Sequence, residues 1–243
     1  MSQEVVKMIN KEIASRLSVL ENNIGYKFNN IELLFEAMTH SSYAHELKIN
    51  KIACNERMEF LGDAVLQIIS SDFLFKKYPD ILEGKLSKMR SSLVRESALY
   101  QCSKAINLGE FIMLGRGEEN CGGRTKPSVI ADAFEALLGA VYMDGGLEKA
   151  SDIIHRFILT EEQVSEANQA DSKSYLQELV QKDGKHHEIE YKIISENGPD
   201  HDKEFVVELT IDGEVKSTGK GKSKKAAEKD AATKVVNGVT QCI

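Results

Sequence analysis

From about residue 31 to residue 159 the apolar side chains recur every three or four positions, the period of helices that bury one face. The spacing predicts helices over residues 31–38, 56–75, 86–106, 129–143 and 148–159, preceded by a charged, interrupted helix near the N-terminus. Breakers fall between them: Tyr78-Pro79-Asp80, Glu83-Gly84, the stretch 115–127 and Asp144-Gly145-Gly146. The rhythm then changes. Residues 172–183 read as a helix ended by Gly184, and 188–195, 204–211 and 214–220 read as strands. Phe205, Val207, Leu209 and Ile211 alternate strictly, which gives one buried face, and Asp212-Gly213 signals a tight hairpin. Residues 223–237 close the chain as a helix, with Ser223 as N-cap and Gly238 as the stop. The fold class expected is an all-α domain over 1–162, a linker over 163–170, and a small α+β domain of order α-β-β-β-α over 171–243.

Composition adds bounds. The 243 residues are 42% hydrophobic and 28% charged, as in globular proteins that remain in water. No apolar run approaches the ~18 residues of a membrane span, so no membrane partner is expected. The start, Met1-Ser2-Gln3-Glu4, lacks the apolar core of a signal peptide, which points to the cytoplasm; the segment before Ile24 receives no function. Cys54, Cys102, Cys121 and Cys242 are scattered, without zinc-ligand spacing, and read as reduced thiols.

Charge is more informative by region than in sum. With 31 basic and 38 acidic residues the net is −7, which taken alone argues against a polyanionic partner. Segment 161–170 holds three acids and no bases. Between Lys216 and Lys234, however, seven lysines face two acids, and Lys222-Ser223-Lys224-Lys225 opens the last helix. Backbone N–H groups and the helix dipole also favour anions there, so the patch reads as a phosphate site, with Gly219 and Gly221 allowing close approach. A helix, three strands and a helix of this size suit the shape-based reading of double-stranded RNA.

The acids of the first part form a second pattern. In Asn55-Glu56-Arg57-Met58-Glu59-Phe60-Leu61-Gly62-Asp63, the acids Glu56, Glu59 and Asp63 share one narrow arc of a helix. Leu61, Ala64, Val65 and Ile68 are expected on the opposite, core-facing side. The helix over 129–143 is apolar nearly all round except for Asp132 and Glu135, and Gly139 lies one turn further on the same face. Buried carboxylates need a counter-charge. Ion pairs to Arg57, Arg90 or Arg95 and a hard divalent metal, above all Mg²⁺, are both open at this level.

The run Asn55 to Asp63 resembles the signature segment of the ribonuclease III family. Thr39-His40-Ser41-Ser42-Tyr43 upstream and Asp132-Ala133-Phe134-Glu135-Ala136 downstream extend the likeness. The run from Gly219 to Glu228 is similar to the end of a double-stranded RNA-binding domain, and together the two cover about residues 24–236. The resemblance implies an all-α endonuclease domain followed by a double-stranded RNA-binding domain, a homodimer joined through the helical part, and Mg²⁺ as cofactor with Mn²⁺ able to substitute. It implies hydrolysis of phosphodiester bonds in double-stranded RNA to 5′-phosphate and 3′-hydroxyl ends with short 3′ overhangs, as in processing ribosomal RNA precursors and other structured transcripts. By the same resemblance Glu59, Asp63, Asp132 and Glu135 are metal-site acids, with Asp63 and Glu135 the catalytic pair, and Glu56 and Glu83 assist at the cleft. Gln177 and Glu178 match a first minor-groove contact, and Pro199 and His201 a loop entering the next minor groove. Lys222, Lys224 and Lys225 match a phosphate clamp.

Other classes lose ground. A non-catalytic RNA-binding regulator would be expected to lack some of the four acids, and all four are present. An unrelated helical metal hydrolase would make the signature accidental. Gly115-Arg116-Gly117 with Gly122-Gly123 lacks the spacing of a phosphate loop. His40 and His45 do not form a zinc motif and are expected to pack, while His186-His187 is expected in an exposed turn.

Overall fold

A computed structural model describes residues 9–47, 54–170, 172–181, 187–199 and 203–239. The chain forms two compact units, one comprising Met1–Phe73 with Leu93–Thr160, the other Leu74–Ser92 with Glu161–Ile243. The backbone therefore passes between units three times. Residues 74–92, whose helical pattern falls within the all-α domain expected over 1–162, cluster instead with the C-terminal unit.

In chain order the helices are α1 (Lys11–Ile24), α2 (Ile31–Ala37), α3 (Ser41–Glu46), α4 (Glu56–Lys77), α5 (Glu83–Val94), α6 (Glu96–Lys104), α7 (Arg116–Asn120) and α8 (Pro127–Phe157). The single helix predicted over 86–106 is broken at Arg95, whose extended backbone (φ −66°, ψ 152°) starts α6. The stretch 115–127 is not a plain loop, since it folds into α7 and a 3₁₀ turn at Gly123–Thr125.

Helix α8 is the spine of the first unit. Ala133, Phe134, Ala136, Leu137, Leu138, Ala140 and Val141 are wholly buried, as an all-round apolar pattern requires. It packs on α2 and α6. Each fully buried Leu or Phe there contributes roughly 1.5–3 kcal/mol. The break read at Asp144-Gly145-Gly146 is a kink within α8, where Gly146 takes φ 80° and ψ −177°. Asp144 holds the kink to the loop before α2, accepting from the Tyr26 hydroxyl (2.7 Å) and the N–H groups of Asn29 and Asn30 (both 2.8 Å).

The second unit contains α9 (Glu161–Ala170), α10 (Ser172–Val180), β1 (Ile189–Asn197), β2 (Glu204–Ile211), β3 (Glu214–Gly221) and α11 (Lys224–Val239). Segment 163–170, expected to be a linker, lies within α9; Val164 and Ala167, three residues apart, are buried and give it a packing face. The strands form an antiparallel sheet in the order β1-β2-β3. Val207 and Leu209 are fully buried, and Leu209 shares a core with Tyr175 and Leu176 of α10 and Ala231, Ala232, Val235 and Val236 of α11. Positive φ at Asp212 (52°) and Gly213 (79°) makes the two-residue β2–β3 turn that matches strand twist. Ser223 caps α11 by accepting from the Ala226 N–H at 3.2 Å, and the helix runs on through Gly238 rather than stopping there. Among residues 74–92, Lys85 is 1% exposed, its ammonium 5.3 Å from the centre of the Tyr175 ring. No helix among the described residues is long and apolar enough to cross a membrane.

Candidate metal centre and nucleic-acid interface

Two glycines bring the acid-bearing helices together. A Cβ on Gly62 of α4 would strike the Glu135 carbonyl of α8, and one on Gly139 would strike the Met58 carbonyl, so the backbones touch. That contact corrects the expected orientation of α4. The buried stripe is Met58, Gly62, Val65, Leu66 and Ile69, whereas Ala64 and Ile68 are exposed and Leu61 is half-buried. At about 100° per residue this stripe lies beside the acidic arc, not opposite it. The acids consequently stand at the edge of the α4–α8 contact.

Carboxylate oxygens of Glu59, Asp132 and Glu135 lie within 4.8 Å of one another, each residue half-buried. Asp63 is exposed and outside this group, its Oδ1 accepting from the Gln67 amide at 3.2 Å. It is still near enough for its charge to bear on the others. Burial first, then the fields of Asp63, Glu59 and Asp132, push the Glu135 carboxyl up to about 8. Burial likewise raises Glu59, with Asp132, Glu56 and Asp63 adding to it. Asp132 is raised by burial and by Glu96, partly offset by His40 and Lys126.

Among the described residues no lysine or arginine forms an ion pair with Glu59, Asp132 or Glu135. Of the two counter-charges open from sequence, arginine pairing thus has no support among the described residues. A half-buried, oxygen-only set under mutual repulsion fits a hard divalent cation. Glu56 is exposed at the start of α4. Glu83 lies in the second unit, its Oε1 accepting from the Ser87 hydroxyl at 2.6 Å. Glu96, Lys126 and His40 around Asp132 escaped the sequence reading; only His40, inside the quoted Thr39–Tyr43 motif, carried a local signal.

In the second unit Lys222, Lys224 and Lys225 are exposed at the N-terminal end of α11. The other patch lysines are partly committed: Lys216 pairs with Glu214 at 2.6 Å and Lys234 with Asp230 at 2.8 Å. Gly219 and Gly221 serve another purpose than phosphate approach. A Cβ at Gly221 would lie 2.7 Å from that of Ala226, and one at Gly219 would strike the α11 backbone, so both let β3 pack on α11. Gln177 is exposed on α10, which also carries Glu178, and Pro199 is exposed just after β1. His201 lies outside the described residues, as do Cys242 and His186.

Residues 30–162 match the model of a ribonuclease-III-like family, and residues 172–238 that of a double-stranded RNA binding motif. The chain is 43% identical to ribonuclease 3 of Listeria innocua, over 91% of this chain and 96% of that protein. It is 44% identical to ribonuclease 3 of Streptococcus pneumoniae, over 93% and 98% respectively. The nuclease domain of ribonuclease III from Campylobacter jejuni, described with flexibility in a region involved in dimer formation, is similar in structure. The TM-score is 0.55 at 42% identity, covering 58% of this chain and 95% of that one.

A helical domain with clustered carboxylates, joined to a double-stranded RNA-binding module, defines an endonuclease of double-stranded RNA. The chain belongs to the ribonuclease III family.

Proposed function

We propose that this endonuclease uses Mg²⁺, with Mn²⁺ able to replace it, held by Glu59, Asp132 and Glu135. The convergence of those three carboxylates is the observation that carries the reading. Bound there, the cation would supply an activated water and offset charge on the scissile phosphate. The protein's own groups do the rest. Gly62 and Gly139 keep the ligand helices in register. Asp63, exposed at the outer side of the set, orders water or a further metal, and is with Glu135 the most direct participant in catalysis. Glu56 adds negative field at the start of α4. Lys222, Lys224 and Lys225 hold phosphates across a groove, while Gln177, Glu178, Pro199 and His201 contact flanking minor grooves.

Cleavage of both strands then calls for two copies. Phe60 (80% exposed), Ile68 (59%), Met143 (58%) and Leu147 (47%) leave the nuclease unit with uncovered apolar surface, which supports a homodimer. Products would carry 5′-phosphates, 3′-hydroxyls and short 3′ overhangs. The substrates would be ribosomal RNA precursors and other structured transcripts in the cytoplasm. The family matches over 30–162 and 172–238 support limits of 1–162 for the nuclease and 171–243 for the RNA-binding module, although residues 74–92 cluster with the second unit.

Incubating the protein with a long RNA duplex tests this. Cutting should require Mg²⁺ and stop with a chelator. Glu135→Gln should abolish cutting and leave duplex binding nearly intact. Normal cutting by that variant would overturn the site.

A further inference from the structure

One lysine ties three elements of the second unit together. Lys173, in the first turn of α10, places its ammonium 2.7 Å from the Glu228 carboxylate of α11. The same ammonium stands 4.3 Å from the centre of the Tyr191 ring in β1. A second link lies deeper, where the wholly buried Ser172 hydroxyl is 2.7 Å from that of Thr233 on α11. Helices α10 and α11 are therefore joined through two successive residues, one link near the surface and one in the core.

The tie lies one helical turn from each group of proposed RNA contacts. Lys173 precedes Gln177 by four residues on α10, and Glu228 follows Lys224 and Lys225 by four and three on α11. Residues at these spacings are neighbours on a helix surface. Lys173, Tyr191 and Gln177 also line one polar cavity of about 490 Å³. A double-stranded RNA-binding domain reads shape. It meets successive minor grooves and the phosphates between them, so the separation of its contacts must match an A-form duplex. The B-form duplex of DNA has other groove widths and demands another separation. What holds α10 against α11 therefore sets which duplex fits.

We infer that Lys173 and Glu228 are positioning residues for RNA recognition. Without touching RNA, their pair on the Tyr191 ring holds the groove-contacting face of α10 and the lysine clamp of α11 at the A-form spacing, and so sets a preference for RNA over DNA duplexes. The two side chains are 40% and 27% exposed, and an ion pair so placed adds little to stability. Its loss is therefore to be read in recognition, not in folding. The inference rests on Gln177 and the three lysines contacting RNA, as proposed above.

Lys173→Met and Glu228→Gln each remove the pair while keeping side-chain size, and Lys173→Glu combined with Glu228→Lys reverses it. In the full-length protein, with a chelator to prevent cutting, each variant is titrated with an RNA duplex of about 16 base pairs and with DNA of the same sequence, over a series of salt concentrations. Field alone would make Glu228→Gln bind RNA more tightly, since a negative charge beside the clamp is gone. Positioning predicts the opposite sign. Both single variants should bind RNA about three- to tenfold more weakly and DNA as before, so the preference falls by the same factor. The slope of log affinity against log salt should stay as in the wild type, because no phosphate contact is lost. Reversal should bring RNA affinity back to within about twofold. All variants should melt within about 2 °C of the wild type. Unchanged or tighter RNA binding by Glu228→Gln overturns the inference, as does equal loss on both duplexes, loss that tracks melting temperature, or failure of the reversed pair to recover. A slope flattened by about 1 in Lys173→Met makes that lysine a phosphate contact and overturns it as well. A wild-type protein that binds the two duplexes equally overturns instead the groove and clamp contacts on which the inference rests.

Discussion

Replacing Glu135 by glutamine should stabilise the metal-free protein while ending its activity. The Glu135 carboxyl is pushed from an ordinary 4.5 up to about 8, by burial first and then by Asp63, Glu59 and Asp132. At about 1.36 kcal/mol per unit, a shift of that size would correspond to about 4.8 kcal/mol if none of it were screened. The group is partly solvated, so roughly half, about 2 kcal/mol, is a sounder figure. The sign follows from linkage: an acid with a folded pKa above its unfolded one does no harm below about pH 4.5. Its penalty grows as pH rises and is complete above about pH 8. Glutamine stays neutral throughout. Thermal unfolding in a chelating buffer should show Glu135→Gln melting about 4–8 °C above wild type at pH 8.5 and level with it near pH 4.5. A variant less stable than wild type, or a difference independent of pH, would refute the view that like charges strain this site.

Metal binding should release protons for the same reason. At pH 7 a carboxyl with pKa about 8 is about nine-tenths protonated, so calorimetry in buffers of different ionisation enthalpy should report about 0.9 proton released per Mg²⁺ bound. Gly62→Ala should force α4 off α8 and cost about 3 kcal/mol or more, lowering the melting temperature by about 6–12 °C and weakening Mg²⁺ binding. A silent variant would mean that the crossing is loose. Replacing Lys222, Lys224 and Lys225 together by alanine should flatten the slope of log affinity against log salt by about 2–3. An unchanged slope would remove these lysines from the phosphate contacts.

Much of this molecule is legible in one dimension. Helix period, strict alternation in β2, the Asp212-Gly213 turn and the Ser223 cap are local signals, because each depends on residues within a few positions of one another. The apolar girth of α8 likewise foretold its burial, and a family signature named four acids before any geometry was known. The −7 net charge was a poor guide, because charge acts over a few ångströms and lysines gathered at one helix end are not cancelled by acids elsewhere.

What sequence could not supply was contact between segments distant in the chain. The outward face of α4 was misjudged because amphipathicity reports which side is apolar, not which side meets another backbone; Gly62 and Gly139 decide that, and bring the acids to its edge. The same limit hid the role of Gly219 and Gly221, which admit α11, and made a helix with three buried residues, Val164, Ala167 and Asn168, look like a linker. Spacing placed Asp132 and Glu135 on one face, but only the tertiary fold set Glu59 beside them and left Asp63 at the rim. Helical period fixes angles about one axis, whereas a metal site is a matter of distances between axes, and those are set by packing.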